Sequence, residues 1–331
     1  MANLNADWLK KHLKLPNGIP AKDTYRRVLS ALQSNAFQQC FYQWIDSLCF
    51  LTEEEKAEQQ KHIAIDGKVM RRSHDRKNNL GALVIVSAWA SDQGISLGQV
   101  ATEKKSNEIT AIPKLLDEIN FEDSIITIDA AGCQKNIARQ IIDGQGDYLL
   151  ALKANHPTLF HEVQSVFSDH FQDDFARCPV SRYEEVEKGH GRIEHRRYYQ
   201  MTAPKDLYGR DEWARLKTIG AAVRTYEQNG VAKSDVRYYL SSLRLGSKQF
   251  ASAVRKHWGI ENTLHGALDM TYREDESPVR DRNFANNLSW LRRLTLSLIK
   301  QHPGKESYVM KRRMAGWSVD FMMQVLTGKP M

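Results

Sequence analysis

SIITIDAAGCQKNIARQIIDGQGDYLLALK, residues 124–153, decides the fold. Its opening run is apolar up to Asp129, as in a parallel strand buried on both faces. CQKNIARQIIDG (133–144) reads as an amphipathic helix that ends at Gly144. DYLLALK (147–153) is a second buried strand. Strand, helix and strand in so short a span predict a βαβ crossover. Working upstream, HIAIDGKVM (62–70) alternates like a strand and LGALVIVSAWA (80–90) is a longer β-rich run. SDQG (91–94) is a turn, ISLGQVATE (95–103) a third strand, and SNEITAIPKLLDEIN (106–120) a helix that must tolerate Pro113 near its first turn. The order is β-β-β-α-β-α-β: three antiparallel strands, then crossovers that add parallel ones.

The remaining segments differ in texture. Residues 1–60 predict a helical N-terminal domain, with Thr52 and Glu55 in a capping-box pattern and no clear helix-turn-helix signature. Residues 61–158 hold the first part of the core. From 159 to 250, a helix beginning at HPTLFHEVQ leads into short polar strands (SRYEEVEK, RIEHRRYYQM, LKTIGAAVRTYE, SDVRYYLSSL), which predicts a mainly β insertion. Residues 251–300 return to helix and complete the core, and 301–331 read as a basic, partly ordered tail. The expected class is α/β with a mixed-sheet core.

Composition narrows the function classes. The chain has 331 residues, 41% of them hydrophobic, and a mean hydropathy of −0.54. No stretch is long and apolar enough for a membrane span, and MANLNADWLKKHLKLP lacks the apolar run of a secretory signal, so a cytoplasmic protein is expected. Cys40, Cys49, Cys133 and Cys178 form no CxxC pair and read as reduced thiols. The net charge is +7. Between Arg280 and Arg313, nine Lys/Arg face only Asp281 and Glu306, a surplus equal to that of the whole molecule. This favours a polyanionic partner or a solvated helix face about equally.

Two carboxylates stand among apolar strand residues: Asp66 in IAIDGK and Asp129 in ITIDAAG. Either alone could cap a turn. If their strands lie side by side the two face each other, and like charges so close raise each other's pKa unless a divalent cation neutralises them. Oxygen-only ligation suits Mg²⁺ or Mn²⁺. HWGIENTLHGALDM (257–270) supplies the best third acid, Glu261, flanked at helical spacing by His257 and His265. Two ions on three carboxylates suit in-line displacement at a phosphodiester. A zinc site on His257, Glu261 and His265 is the rival, although H-x3-E-x3-H is not the HExxH spacing and leaves Asp66 and Asp129 unexplained. Asp269, Glu274, Asp275 and Glu276 read as a solvated or structural end.

These motifs make the chain resemble the H-repeat-associated (ISAs-type) insertion-sequence transposases, within the DDE transposase superfamily. The resemblance rests on AIDGK (64–68), KSNEITAIPKLL (105–116), TIDAAGCQKNIA (127–138) and GDYLLALKANHPTL (146–159). KGHGRIEHRRYY (188–199), RKHWGIENTLH (255–265) and the LD…ED pair at 268–275 extend it. It implies an RNase H-like catalytic core interrupted by the insertion, with the acidic triad on Asp66, Asp129 and Glu261. Mg²⁺, replaceable by Mn²⁺ and expected as two ions, would be held there. It also implies cleavage at insertion-sequence ends with strand transfer to target DNA, and a homodimer or larger complex joining two double-stranded DNA ends. The protein would be bacterial and cytoplasmic, at the nucleoid when on DNA. Arg192, Arg196 and Arg197 in the insertion, Arg255 and Lys256 before the third acid, and Lys153 at a strand end become the expected phosphate contacts. Two departures stand out: Gly266 replaces the family's usual tryptophan, and Asn155-His156-Pro157 stands for NQP. A weakened, DNA-binding relic and a plain metal-dependent nuclease are the alternatives.

Overall fold

A computed structural model describes residues 5–48, 60–102, 108–189, 192–228 and 231–327. The Thr52–Glu55 capping box and Cys49 lie outside them. The chain forms two compact units, one of residues 58–66 and 108–259, the other of 1–57, 67–107 and 260–331.

The first unit is built on a large mixed sheet. β1 (Lys61–Val69), β4 (Ser124–Ile128) and β5 (Asp147–Leu152) run parallel, and β9 (Val231–Ser241) joins β5 antiparallel. β8 (Thr218–Gln228), β7 (Arg192–Thr202) and β6 (Val180–Gly189) then continue antiparallel to the sheet's end. The β-rich segment after residue 159 therefore extends the same sheet. β4 is buried along its whole length, which explains its unbroken apolar run. α4 (Glu108–Glu118) precedes β4, and α5 (Lys135–Asp143) links it to β5. Pro113 is the sixth residue of α4, beyond the first turn where it was expected. α5 stops at Gly144, but the left-handed residue is its successor Gln145 (φ 62°).

Period-two alternation distributes the sheet's aromatics. Tyr198 and Tyr239 pack with Phe250, Ala251 and Val254 of α7 (Ser247–Ile260). Tyr238 on the opposite face meets Phe160 and Phe167 of α6 (Pro157–Gln172). Gly220 is required in β8, because a Cβ there would lie 2.5 Å from the Phe250 ring.

The second unit holds the antiparallel hairpin of β2 (Val84–Ala90) and β3 (Ile95–Thr102), turned at Gly94 with φ +68°. The 20-residue α9 (Arg282–Gln301) packs on it through Trp290, which is buried with Ile95, Phe37, Phe41 and Tyr42. The N-terminal helices α2 (Lys22–Ala31) and α3 (Ser34–Leu48) therefore share this core, and α1 (Ala6–His12) precedes them. The basic C-terminal segment is no free tail. α10 (Tyr308–Trp317) and α11 (Val319–Thr327) fold back, with Val325 and Phe321 against Leu298 and Ile299. Lys311 is buried, its ammonium donating to the His302 carbonyl at 2.6 Å. No helix among the described residues is long and apolar enough to cross a membrane.

Candidate functional site

The parallel register of β1 and β4 pairs Ile63 with Ile126, Ala64 with Thr127 and Ile65 with Ile128. Carried one residue further, past the end of β4, this register sets Asp66 level with Asp129. Both are half-buried. Asp129 leaves the strand as the cap of a short 3₁₀ turn, its carboxylate accepting from the Ala131 N–H at 3.0 Å. The capping function, one of the two rival expectations from sequence, holds for Asp129.

The loop that carries Asp129 is clamped from below. Asn155 Nδ2 donates to the Ala130 carbonyl at 2.8 Å, and His156 Nε2 lies 2.6 Å from the Cys133 carbonyl. Pro157 starts α6 at once, as suits a residue with no N–H to donate. The Asn-His-Pro departure thus positions the turn after β4, a role that sequence reasoning had not assigned. Burial pushes the Cys133 thiol up, so it packs as a neutral group.

Behind the acids, on the α7 face, the Thr127 hydroxyl bridges His62 Nε2 (3.2 Å) and His257 Nδ1 (3.0 Å). Burial lowers His257 to about 4 against the opposing pull of the Asp129 charge. Burial likewise lowers His62 to about 3, with the charges of Lys256 and His257 adding to it. Both rings are therefore neutral packing groups near pH 7. The zinc reading of the His-Glu-His trio gains no support: the Thr127 hydroxyl engages His257 Nδ1. α7 ends at Ile260, and Glu261–Gly266 forms a π-helical turn before α8 (Ala267–Tyr272). Such turns recur at functional sites. Glu261, exposed, is the first residue of this turn and belongs to the second unit. A Cβ at Gly266 would approach the Glu261 carbonyl to 3.3 Å, so the glycine suits the turn.

Asp269, Glu274 and Asp275 are structural, while Glu276 is exposed. Lys68, 8% exposed, donates to Asp269 at 2.7 Å and Asp275 at 2.9 Å. Glu274 is buried against Arg293 at 3.1 Å. Lys68 was missed because its partners lie some two hundred residues away in sequence.

The expected phosphate contacts divide. Arg196 is buried and engaged by Glu187 and Glu194, and Arg255 by Glu187 and by Glu185 at 3.4 Å. Arg196 is thereby neutralised inside the fold, whereas Arg255 and its partner Glu187 keep part of their side chains in solvent. The Arg224 hydrogen bond, followed by the nearby Arg196 and Arg224 charges, holds Glu194 below the usual carboxylate range. Arg197 keeps half its side chain in solvent, with Glu184 at 3.5 Å. Lys153 is exposed at the end of β5, on the same sheet edge as Asp66 and Asp129, and Lys256 is half-buried on α7. The Arg192 side chain lies outside the described residues.

Two acidic oxygen donors side by side fit a hard divalent cation. Among the described residues no three His, Cys, Asp or Glu side chains are close enough together to hold a metal ion, so this donor set is a pair.

Comparison with known proteins gives a consistent picture. The profile of the Transposase DDE domain family matches residues 57–298, and that of the DDE_Tnp_1-associated segment matches 1–45. The H repeat-associated putative transposase YhhI of Escherichia coli (strain K12) is 36% identical over 97% of this chain and 84% of its own length. The putative transposase YncI of Escherichia coli O157:H7 is 38% identical over 93% of this chain and 77% of its own. A piggyBac transposase, solved by cryo-EM in a synaptic complex with hairpin DNA, aligns at 11% identity with a TM-score of 0.39, covering 81% of this chain and 54% of that one.

Proposed function

This chain belongs to the Transposase DDE domain family, and from that premise we propose that it cleaves DNA at the ends of its insertion sequence and joins them to target DNA. The observation that supports the proposal is the parallel register of β1 and β4, which, carried one residue past Ile65 and Ile128, brings Asp66 level with Asp129. In this reading Glu261 is the third acid, assigned from its motif, and the β-β-β-α-β-α-β segment is an RNase H-like core.

The donor chemistry suits Mg²⁺, or Mn²⁺ in its place, and two ions are proposed. Bound there, they would supply phosphate charge neutralisation and acidification of the attacking water. Asp66 and Asp129 would hold them, while Asn155 and His156 keep the Asp129 turn fixed. In the first step water adds to phosphorus, the bond to the 3′ oxygen breaks, and a proton passes to that oxygen. The freed 3′-hydroxyl then attacks a target phosphodiester, its oxygen bonding to phosphorus as the target's own bond to its 3′ oxygen breaks and that oxygen takes up the proton. Lys153, Arg197 and Lys256 remain as proposed backbone contacts, and a dimer is proposed to hold two ends.

The test uses duplex DNA carrying the sequences that flank the gene, with Mn²⁺. The expected products are a nicked end and a joined strand, both lost in Asp129→Asn and Glu261→Gln. Hydrolysis without joining would leave a plain nuclease, and end-binding without nicking a DNA-binding relic.

A further inference from the structure

We propose that the cleft between α2 and the start of α9 binds the phosphate backbone of duplex DNA. This rests on the reading of the chain as a protein that acts on DNA, but not on its acidic residues. The cleft is open, about 830 Å³, and Arg26, Arg27 and Arg280 line it together with Asp281 and Phe284.

Three observations carry the assignment. First, the cations are available. All three arginines are exposed. Arg26 has only a loose, solvent-exposed pairing with Asp23 at 3.8 Å, the kind that contributes little. Among the described residues, neither Arg27 nor Arg280 has a carboxylate at ion-pair distance. Second, the walls are rigid. Asn287 Nδ2 donates to the Leu29 and Leu32 carbonyls at 2.8 and 3.0 Å, tying the end of α2 to α9. Arg282 donates to the carbonyls of Ser73 at 3.2 Å and Gly81 at 2.7 Å, docking the 73–81 loop on the same helix start. A preformed cleft binds without the cost of ordering its side walls.

Third, the basic character continues beyond the cleft. The docked loop carries exposed Arg76 and Lys77. The Asn78 side chain, the N–H groups of Asn78 and Lys77, and the Arg280 charge together hold Asp75 below its usual range, which places Arg280 beside that loop. The one acid of the cleft, Asp281, is engaged as the cap of α9, accepting from the Phe284 N–H at 2.7 Å. A row of arginines spanning a helix and a docked loop suits the regularly spaced charges of one duplex strand, which fix position without reading sequence.

The test measures duplex affinity by fluorescence anisotropy in EDTA across a salt series, so that catalysis plays no part. Each lost phosphate contact lowers the slope of log affinity against log salt by about 0.9. The triple variant Arg26→Gln, Arg27→Gln, Arg280→Gln should therefore lose about two to three units of slope. Arg26→Lys, Arg27→Lys, Arg280→Lys should keep it. A charge-matched control, Lys10→Gln, Lys11→Gln, Lys14→Gln, around exposed α1, should leave it unchanged. An unchanged slope in the arginine-to-glutamine variant, or an equal loss in the control, overturns the cleft assignment while leaving DNA binding intact. Tighter binding of single strands than of duplex also overturns it. If the unaltered protein binds no duplex at all, the transposase reading fails with it.

Discussion

Two groups of carboxylates in this chain received opposite treatment from the fold. Within β1 and just after β4, the parallel register carries Asp66 level with Asp129, a placement that we propose serves a cation. In the 269–275 segment each acid meets a cation of the protein: Lys68 for Asp269 and Asp275, Arg293 for Glu274. The second arrangement neutralises its charge within the protein, whereas the first is the one we propose for a ligand. Number of acids is thus a poor guide to function here, since the dense cluster is tied to cations of the protein and the candidate site rests on two aspartates far apart in sequence.

The widest gap between the two groups should appear on neutralisation. Glu274→Gln leaves Arg293 buried without its counter-charge, and urea denaturation should show a loss of about 3–5 kcal/mol. Asp129→Asn keeps a side-chain oxygen for the Ala131 N–H, so stability should change by less than about 1 kcal/mol. DNA cleavage should instead fall about 10³-fold, or several kcal/mol of transition-state stabilisation. Equal destabilisation by both substitutions would erase the distinction.

How far this was legible in sequence depends on the range of the forces involved. The strands and helices of 61–153 were readable because apolar runs and turn residues act locally. The pairing of Asp66 with Asp129 was conditional on strands lying together, and the equal offset of every β1–β4 pair supplies that condition. The π turn at Glu261–Gly266 was not readable, because one change in backbone hydrogen-bond register leaves the apolar spacing nearly intact. Charge also misled. Arg196 and Lys311 look solvent-facing in sequence, yet both are buried and engaged by acceptors nine residues away. Arg280 and Arg27, in a stretch of similar texture, remain exposed.

An intermediate effect should come from acid titration behind the candidate site. His62 is lowered from 6.5 to about 3, chiefly by burial, so in the folded state it stays neutral where the unfolded chain takes up a proton. Its contribution is constant above pH 6.5 and is lost as pH falls below that value toward 3. The slope is about 1.4 kcal/mol per pH unit, or about 2 kcal/mol between pH 6.5 and 5. His62→Gln should flatten the fall in stability between pH 7 and pH 5 by about that amount. An unchanged pH dependence would mean that the ring is accessible to protons, and the packing described behind Thr127 would be wrong.

The smallest effect belongs to the clamp under Asp129. His156→Ala removes one hydrogen bond to the Cys133 carbonyl and its edge contact with Trp213, 5.3 Å between ring centres. About 1 kcal/mol of stability should go with it. His156→Gln, which restores the residue expected from the resemblance, keeps an N–H donor for that carbonyl and should recover most of the loss. Cleavage should separate the variants further, since a shift of about 1 Å in a catalytic group costs up to about 10²-fold. If alanine and glutamine variants cleave equally well, the turn after β4 is held by Asn155 and the strand end alone, and His156 is a packing residue.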